Sequence, residues 1–210
     1  MENALIIFIK NPEIGKVKTR LARTVGDIEA LSIYLRLLEI TREMALILRG
    51  VKVYVFYSDF VEQDDEWAND YFEKYVQNGS DLGLRMSNAF SFVIEQHSKV
   101  CIIGSDCPTL SADIVEQAFW ELQINDYVLG PSTDGGYYLL GLRKNEKHAS
   151  NTQNHHQFLF ENMEWSTSKV LLQSLDRIKE KGKTVFLLPA LTDIDEETDW
   201  INFQKNSQPN

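Results

Sequence analysis

A single α/β domain, with a mixed and mostly parallel sheet flanked by helices, is the fold this sequence predicts. Three observations predict it. Short β-rich runs recur along the 210 residues. Most of them are apolar throughout rather than alternating, as strands buried on both faces are. Helical stripes fill the intervals between them, which implies right-handed crossovers.

The strands are expected at Leu5–Ile9, Val51–Tyr57, Val100–Gly104, Tyr127–Gly130, Tyr137–Leu142 and Thr184–Leu188. In the first long helix, Leu31, Tyr34, Leu38, Thr41, Ala45 and Leu48 repeat at spacings of three and four, the buried stripe of an amphipathic helix. A second helix is expected over Leu82–Gln96. A third follows Ser111, a natural N-cap, with Ile114, Ala118, Phe119 and Leu122 facing inward. A fourth follows Ser166, with Val170, Leu171, Leu175 and Ile178 inward. Tyr127–Leu142 breaks the alternation. Only Pro131-Ser132-Thr133-Asp134-Gly135-Gly136 separates two strands there, too short for a helical crossover, so this pair reads as antiparallel and the sheet as mixed. Lys144–Gln157 is polar, rich in Asn, Gln and His, and reads as a mobile surface loop. No repeat or linker interrupts residues 1–210, so one domain is expected.

Composition narrows the function. Hydrophobic content of 43% and charged content of 25% are those of a soluble globular protein. A net charge of -10 argues against nonspecific binding to nucleic acid or anionic membranes. No apolar run approaches the ~20 residues a bilayer requires. Met1-Glu2-Asn3 lacks a basic segment, and Ala4–Ile9 is too short for a signal peptide. Cys101 and Cys107 match neither a disulfide framework nor a metal motif. A cytoplasmic protein fits these features.

Against the acidic background, Lys10, Lys16, Lys18, Arg20 and Arg23 face only Glu13 in residues 10–23. A concentrated positive site on a negative protein suits a small phosphorylated substrate, where nucleic acid would want a broad basic face. Gly15 and an expected helix start beside these cations favour phosphate binding over a merely solvated loop. In a parallel α/β sheet, ligands bind beyond the carboxyl ends of the strands, where this segment falls. Ser105-Asp106-Cys107-Pro108 falls there too. Its aspartate leaves a buried strand and is stopped by proline, and such a hard oxygen ligand holds Mg²⁺ or Mn²⁺ together with substrate phosphates. The other reading of Asp106, a cap for the turn, is weakened by Ser111, which already has that role.

Other candidates keep two readings. Thr133-Asp134-Gly135-Gly136 is a favoured hairpin turn, and its glycines would also let a ligand approach the backbone. Asp193, Asp195, Glu196, Glu197 and Asp199 read first as first-turn helix acids, with one or two able to complete a metal site beside Asp106. Arg85, near the helix start in Asn78-Gly79-Ser80-Asp81-Leu82-Gly83, reads first as a surface ion pair, with a phosphate or base contact as the alternative. Trp165-Ser166-Thr167 reads as a cap beside a core or cleft tryptophan. His155 and His156 read as a solvated pair, and Cys107 as a poor nucleophile.

Taken in order, FIKNPEIGKVKTRLA, NGSDLGLRM, IIGSDCPTL, VLGPSTDGGYYLLGL, EWSTSKVL and TDIDEETD resemble the nucleotide-diphospho-sugar transferase superfamily. More closely, they resemble the bacterial glycosyltransferase-like family associated with radical-SAM proteins, selenodomains and arsenosugar biosynthesis. The resemblance spans nearly the whole chain, and its Asp-Gly-Gly-Tyr-Tyr and Val-Lys-Thr-Arg-Leu blocks are specific. It implies a GT-A, Rossmann-like fold and a metal-dependent transferase. Lys10, Gly15, Lys18, Thr19, Arg20 and Arg85 would bind the nucleotide, with Lys18 and Arg20 also stabilising charge in the reaction. Asp106, Asp193 and Asp195 would bind Mg²⁺ or Mn²⁺, and Asp134 would face the acceptor. The implied partners are a nucleotide-sugar or a nucleoside triphosphate and a small acceptor. Glycosyl transfer is the leading expectation; nucleotidyl transfer and non-catalytic nucleotide binding are the alternatives. The chain departs from the family at Lys144–Gln157, where the usual link is shorter, and this bears on the acceptor rather than the nucleotide.

Overall fold

The apolar runs become the interior of one sheet. The computed structural model describes residues 1–144 and 156–207. Its strands are β1 (Asn3–Ile9), β2 (Val51–Tyr57), β3 (Phe72–Val76), β4 (Lys99–Ile103), β5 (Tyr127–Pro131), β6 (Tyr137–Arg143) and β7 (Val185–Leu187). They lie in the order β3-β2-β1-β4-β6-β5-β7. β1 pairs parallel with β2 and β4, β2 with β3, and β5 with β7. Only β6 runs against its neighbours, β4 and β5. The sheet is therefore mixed and mostly parallel, and the short turn after Pro131 does make a hairpin.

The helices are α1 (Thr19–Val25), α2 (Asp27–Ile47), α3 (Leu82–Ile94), α4 (Ala112–Glu121), α5 (Val170–Glu180) and α6 (Glu197–Ser207). Alternate strand residues feed opposite faces of the sheet, as the pleat requires. Leu5, Ile7, Val53, Val55, Cys101 and Ile103 pack beneath α2 and α4. Ala4, Ile6, Tyr54, Phe56, Val100 and Ile102 pack against α3 and α5. Ser111 caps α4 by accepting from the Ile114 N–H, and Asp81 caps α3 by accepting from Leu84 N–H. None of the described helices is long and apolar enough to cross a membrane.

Four features differ from the sequence expectation. α2 buries two stripes: Tyr34, Leu38 and Ala45 face the sheet, while Ala30, Ile33 and Leu37 face Leu21 of α1, Ile194 and the Trp200 and Phe203 rings of α6. β3 was not expected, because its Phe-Glu-Lys-Tyr-Val sequence carries the charges of a sheet edge. Glu73 pairs with Lys52 at 2.8 Å and Lys74 with Asp65 at 2.6 Å. α5 begins at Val170 rather than at Ser166, whose φ of +62° takes it out of the helix. His156 is buried, not solvated: its Nε2 lies 3.3 Å from Ser91 Oγ and 3.1 Å from the Ser87 carbonyl, and its ring packs near Phe90 and Phe160. His155, and the loop reading for 145–155, lie outside the described residues.

Candidate functional site

The loops that follow β1, β3, β4 and β5 emerge on one side of the sheet, because β1, β2, β3, β4 and β5 run in one direction. The segment after β1 turns back on itself. Glu13 N–H donates to the Asn11 carbonyl, Lys16 N–H to that of Glu13, Gly15 takes a φ of +75°, and Val17 is buried. Two side chains that look ordinary in sequence hold its base. The Tyr34 hydroxyl of α2 accepts from Lys10 N–H at 2.8 Å and donates to the Lys10 carbonyl at 3.1 Å. Buried Asn11 accepts from Asp59 N–H and donates to the Phe60 carbonyl, tying the loop to the end of β2. Burial raises the Tyr34 pKa, so this hydroxyl acts as a neutral anchor.

Lys18 then adopts the left-handed conformation, φ 47° and ψ 44°, at the start of α1. That conformation costs a non-glycine residue about 1 kcal/mol or more. It sends the side chain inward. Lys18 Nζ stands 2.6 Å from Asp106 Oδ1, donates to the Ile194 carbonyl at 2.6 Å, and lies 3.8 Å from Asp195 Oδ1. Its side chain is only 6% exposed. Arg20, much more open, reaches Asp195 Oδ2 at 3.3 Å. Thr19, Lys10 and Arg23 are exposed on the same segment, and Lys16 pairs with Glu13. α1 is a single seven-residue piece. The loop's cations therefore carry the positive character, rather than a long helix end.

Asp106 leaves β4 as expected, and the C-terminal segment closes over it. Leu191 N–H donates to the Pro131 carbonyl, Thr133 N–H to that of Leu191, and Ile194 N–H to that of Asp106. Half-buried Asp193 accepts a 2.7 Å hydrogen bond from Ser132 Oγ. Its carboxyl is pushed up to about 6, by burial first, against the Ser132 hydrogen bond, and further by the charges of Asp106 and Asp134. Asp193 is thus close to both other carboxylates, though it belongs to a different part of the chain. Asp195 and Glu196 present their N–H groups to the Asp199 carboxylate at the head of α6.

Asp134 is exposed in the hairpin turn, one oxygen held by the Gly136 N–H at 2.9 Å. The turn is pinned from behind. Gly135 has a φ of +91°, a side-chain carbon there would lie 2.2 Å from the Ser168 carbonyl oxygen, and its own carbonyl accepts from Leu171 N–H. Three residues earlier, half-buried Trp165 stacks on Phe160 and presses on the start of α3, where a side-chain carbon at Gly83 would meet the indole at 2.6 Å. Arg85 bonds to the loop ahead of α3 rather than to Lys18, Asp106 or the C-terminal acids. It donates to the Gly79 carbonyl at 3.1 Å and to Gln77 Oε1 at 3.5 Å, with no ion pair to a described carboxylate. Gln77 in turn donates to the carbonyls of Ile9 and Phe56, joining the ends of β1 and β2. The Cys107 thiol is pushed up to about 12 by burial and by the charge of Asp193, so it is not a nucleophile.

Among the described residues, no group of three or more His, Cys, Asp or Glu side chains is arranged to hold a metal ion. Asp106 and Asp193 come near enough for the charge of the first to raise the pKa of the second. Tyr34, Asn11, Gln77, Ser132 and the Ile194 carbonyl were not singled out from sequence. Each carries an ordinary core or loop signature, and only its hydrogen-bond partners give it away.

A family profile described as "Uncharacterized protein conserved in bacteria (DUF2064)" matches residues 43–167. No curated protein matches the chain. A crystal structure from Desulfovibrio desulfuricans, described provisionally as a nucleotide-diphospho-sugar transferase, is 27% identical with a TM-score of 0.86, covering 99% of this chain and 88% of that one. Two further structures share the fold. The 4-diphosphocytidyl-2C-methyl-D-erythritol synthase of Anaerococcus prevotii has a TM-score of 0.61 at 12% identity, covering 98% of this chain and 96% of its own. A CMP:2-keto-3-deoxy-manno-octonic acid synthetase, solved with CTP, has a TM-score of 0.59 at 14% identity, covering 97% and 98%.

Proposed function

The chain belongs to the DUF2064 family, and from that premise we propose that it is a transferase that uses a nucleotide-activated donor, with glycosyl transfer from a nucleotide-diphospho-sugar to a small acceptor as its reaction. One observation carries the reading. Lys18 of the β1 loop bonds Asp106 after β4 and lies 3.8 Å from Asp195 of the C-terminal segment, Arg20 reaches the same Asp195, and Asp193 is close enough to feel the charges of Asp106 and Lys18. The name given to the 27% identical structure, and the motif resemblance to the arsenosugar glycosyltransferase-like family, support the choice of a nucleotide-sugar.

In this reading, Lys10 and Arg20 face the donor diphosphate, and Asp106 and Asp193 would hold Mg²⁺ or Mn²⁺. When bound, that ion supplies neutralisation of the departing diphosphate. Charge stabilisation aimed at the leaving group is the main contribution a site of this kind makes. The acceptor oxygen forms a bond to the anomeric carbon as the carbon–oxygen bond to the diphosphate breaks. Asp134 takes the acceptor proton.

Nucleotidyl transfer is the second reading, favoured by the Asp-x-Pro element at Asp106 beside dense cations. An acceptor oxygen would then attack the α-phosphorus of a nucleoside triphosphate, with pyrophosphate leaving. Product analysis decides between them. Protein with Mn²⁺ is incubated with nucleotide-sugars or with nucleoside triphosphates, over a panel of small alcohols and phosphates. Nucleoside diphosphate release that depends on acceptor is the expected result. Acceptor-dependent pyrophosphate would overturn glycosyl transfer, and saturable nucleotide binding without any turnover would overturn both in favour of a binding module.

A further inference from the structure

Lys18 carries its charge inward, although the sequence places it among loop cations suited to phosphate. Its side chain is 6% exposed, against 61% for Arg20 two residues later. The ammonium commits two of its three N–H donors to Asp106 Oδ1 and the Ile194 carbonyl, each at 2.6 Å. Asp195 Oδ1 stands 3.8 Å from the same nitrogen. Both carboxylates are more exposed than the ammonium they flank, so an incoming phosphate faces their like charge. The Lys18 backbone is also held in the sparsely populated left-handed region, and such strain persists only where the surroundings fix it. Lys10, on the same loop, is exposed.

From these contacts we infer that Lys18 is a positioning residue and not a phosphate ligand. Its ammonium ties the Asp106 loop and the C-terminal segment to the β1 loop, and donor phosphate is left to Lys10 and Arg20. The inference rests on the nucleotide reading given above for its assignment of phosphate. The C-terminal segment is stitched to the β5 side of the site: Leu188 N–H donates to the Leu129 carbonyl, Leu191 N–H to the Pro131 carbonyl and Ser132 Oγ to Asp193. Its bonds toward the β1 loop and α1 come from Lys18 and Arg20. The Arg20 bond to Asp195 is exposed and 3.3 Å long, and a surface pair of that kind holds little by itself. Lys18 supplies the firm tie. Without it, Asp106 loses its 2.6 Å partner, and the Ile194 carbonyl next to Asp195 loses its anchor. Arg20, which meets Asp195, would then be aimed less well at a diphosphate.

Two measurements test this with a nucleoside diphosphate as probe: UDP, CDP, GDP and ADP are titrated, and the tightest is used. First, lysines of the wild-type chain are acetylated with acetic anhydride, with and without the probe, and read by mass spectrometry. Lys10 should label readily and be shielded by the probe. Lys18 should label far more slowly than Lys10, at a rate the probe leaves unchanged. Ready labelling of Lys18, or shielding of it by the probe, would overturn the inference. Second, probe affinity is compared with that of Lys18→Met, which keeps the apolar stem without the charge. A positioning role predicts a loss of about threefold or more, although the probe does not shield the ammonium. Unchanged affinity in a folded variant would make Lys18 a structural tie alone and overturn the inference. A thermal melt checks folding. Should Lys18→Met not fold, Lys18→Gln, which keeps an N–H donor for one partner, takes its place with the same expected loss. Absence of binding by the wild-type chain to all four nucleotides would overturn the nucleotide reading and the phosphate assignment, while the labelling of Lys18 still decides the tie.

Discussion

Asp193 is the residue at which the charge of this site is least comfortable. Its carboxyl moves from an ordinary 3.8 to about 6, through burial and the neighbouring Asp106 and Asp134 charges, with Ser132 and Lys18 only partly offsetting this. A carboxyl with a raised native pKa binds its proton more tightly folded than unfolded. Stability therefore falls as pH rises from about 3.8 and has fully lost this contribution above about 6. Asp193→Asn cannot ionise, and its side-chain oxygen can still accept from Ser132 Oγ. The variant should melt a few degrees above wild type at pH 8, with the advantage shrinking toward zero at pH 4.5. Thermal melts of both proteins at the two pH values check this, and a pH-independent difference would mean that the burial of Asp193 has no electrostatic cost. None of this shows in sequence, where Asp193 looks like one more acid ahead of a helix. Only the Ser132 contact and the nearness of Asp106 set it apart from Glu196 and Glu197.

The hairpin between β5 and β6 shows how one element positions another. Gly135 brings the turn against the backbone of Ser168, so Gly135→Ala meets both a left-handed φ and a carbonyl oxygen that a flexible side chain cannot vacate. A loss of about 2–4 kcal/mol is expected, with Asp134 displaced along with the turn. A melt lowered by less than about 2 °C would show that residues 165–171 do not brace the hairpin. The turn itself was legible, because the short connection excluded a crossover. That β6 rather than β5 would lie against β4 was not, since strand order is decided by packing between distant segments. Two-sided burial made β1, β2 and β4 readable as apolar runs, and the same rule hid β3. Its Glu73 and Lys74 are charges suited to a sheet edge. The α2 helix was legible in extent but not in its second buried stripe, because α6, which covers that stripe, is far away in the chain. The convergence of Lys18, Asp106 and the C-terminal acids followed from strand direction alone. The buried state of Lys18 did not, because a lysine in a basic loop gives no sign of its counter-ions.

At the scale of the molecule, a chain of net charge -10 is proposed to bind a polyanion, and the two facts oppose each other. The β1 loop attracts phosphates over a few ångströms, while the remaining surface repels them over the full width of the protein. Salt separates these contributions. The screening length is about 30 Å at 0.01 M and about 8 Å at 0.15 M, so modest salt removes the distant repulsion first and the close attraction later. Affinity for a nucleoside diphosphate should accordingly change little between about 0.01 and 0.1 M salt, then fall as contacts within the loop are screened. Replacing the exposed Lys10 and Arg20 by alanine leaves mostly repulsion. For that double variant, binding should be weaker at every ionic strength and should strengthen, not weaken, as salt is raised from about 0.01 M to 0.15 M. Equilibrium titrations of both proteins across that range provide the comparison. A double variant whose affinity falls with salt as steeply as the wild type's would place the phosphates away from the β1 loop.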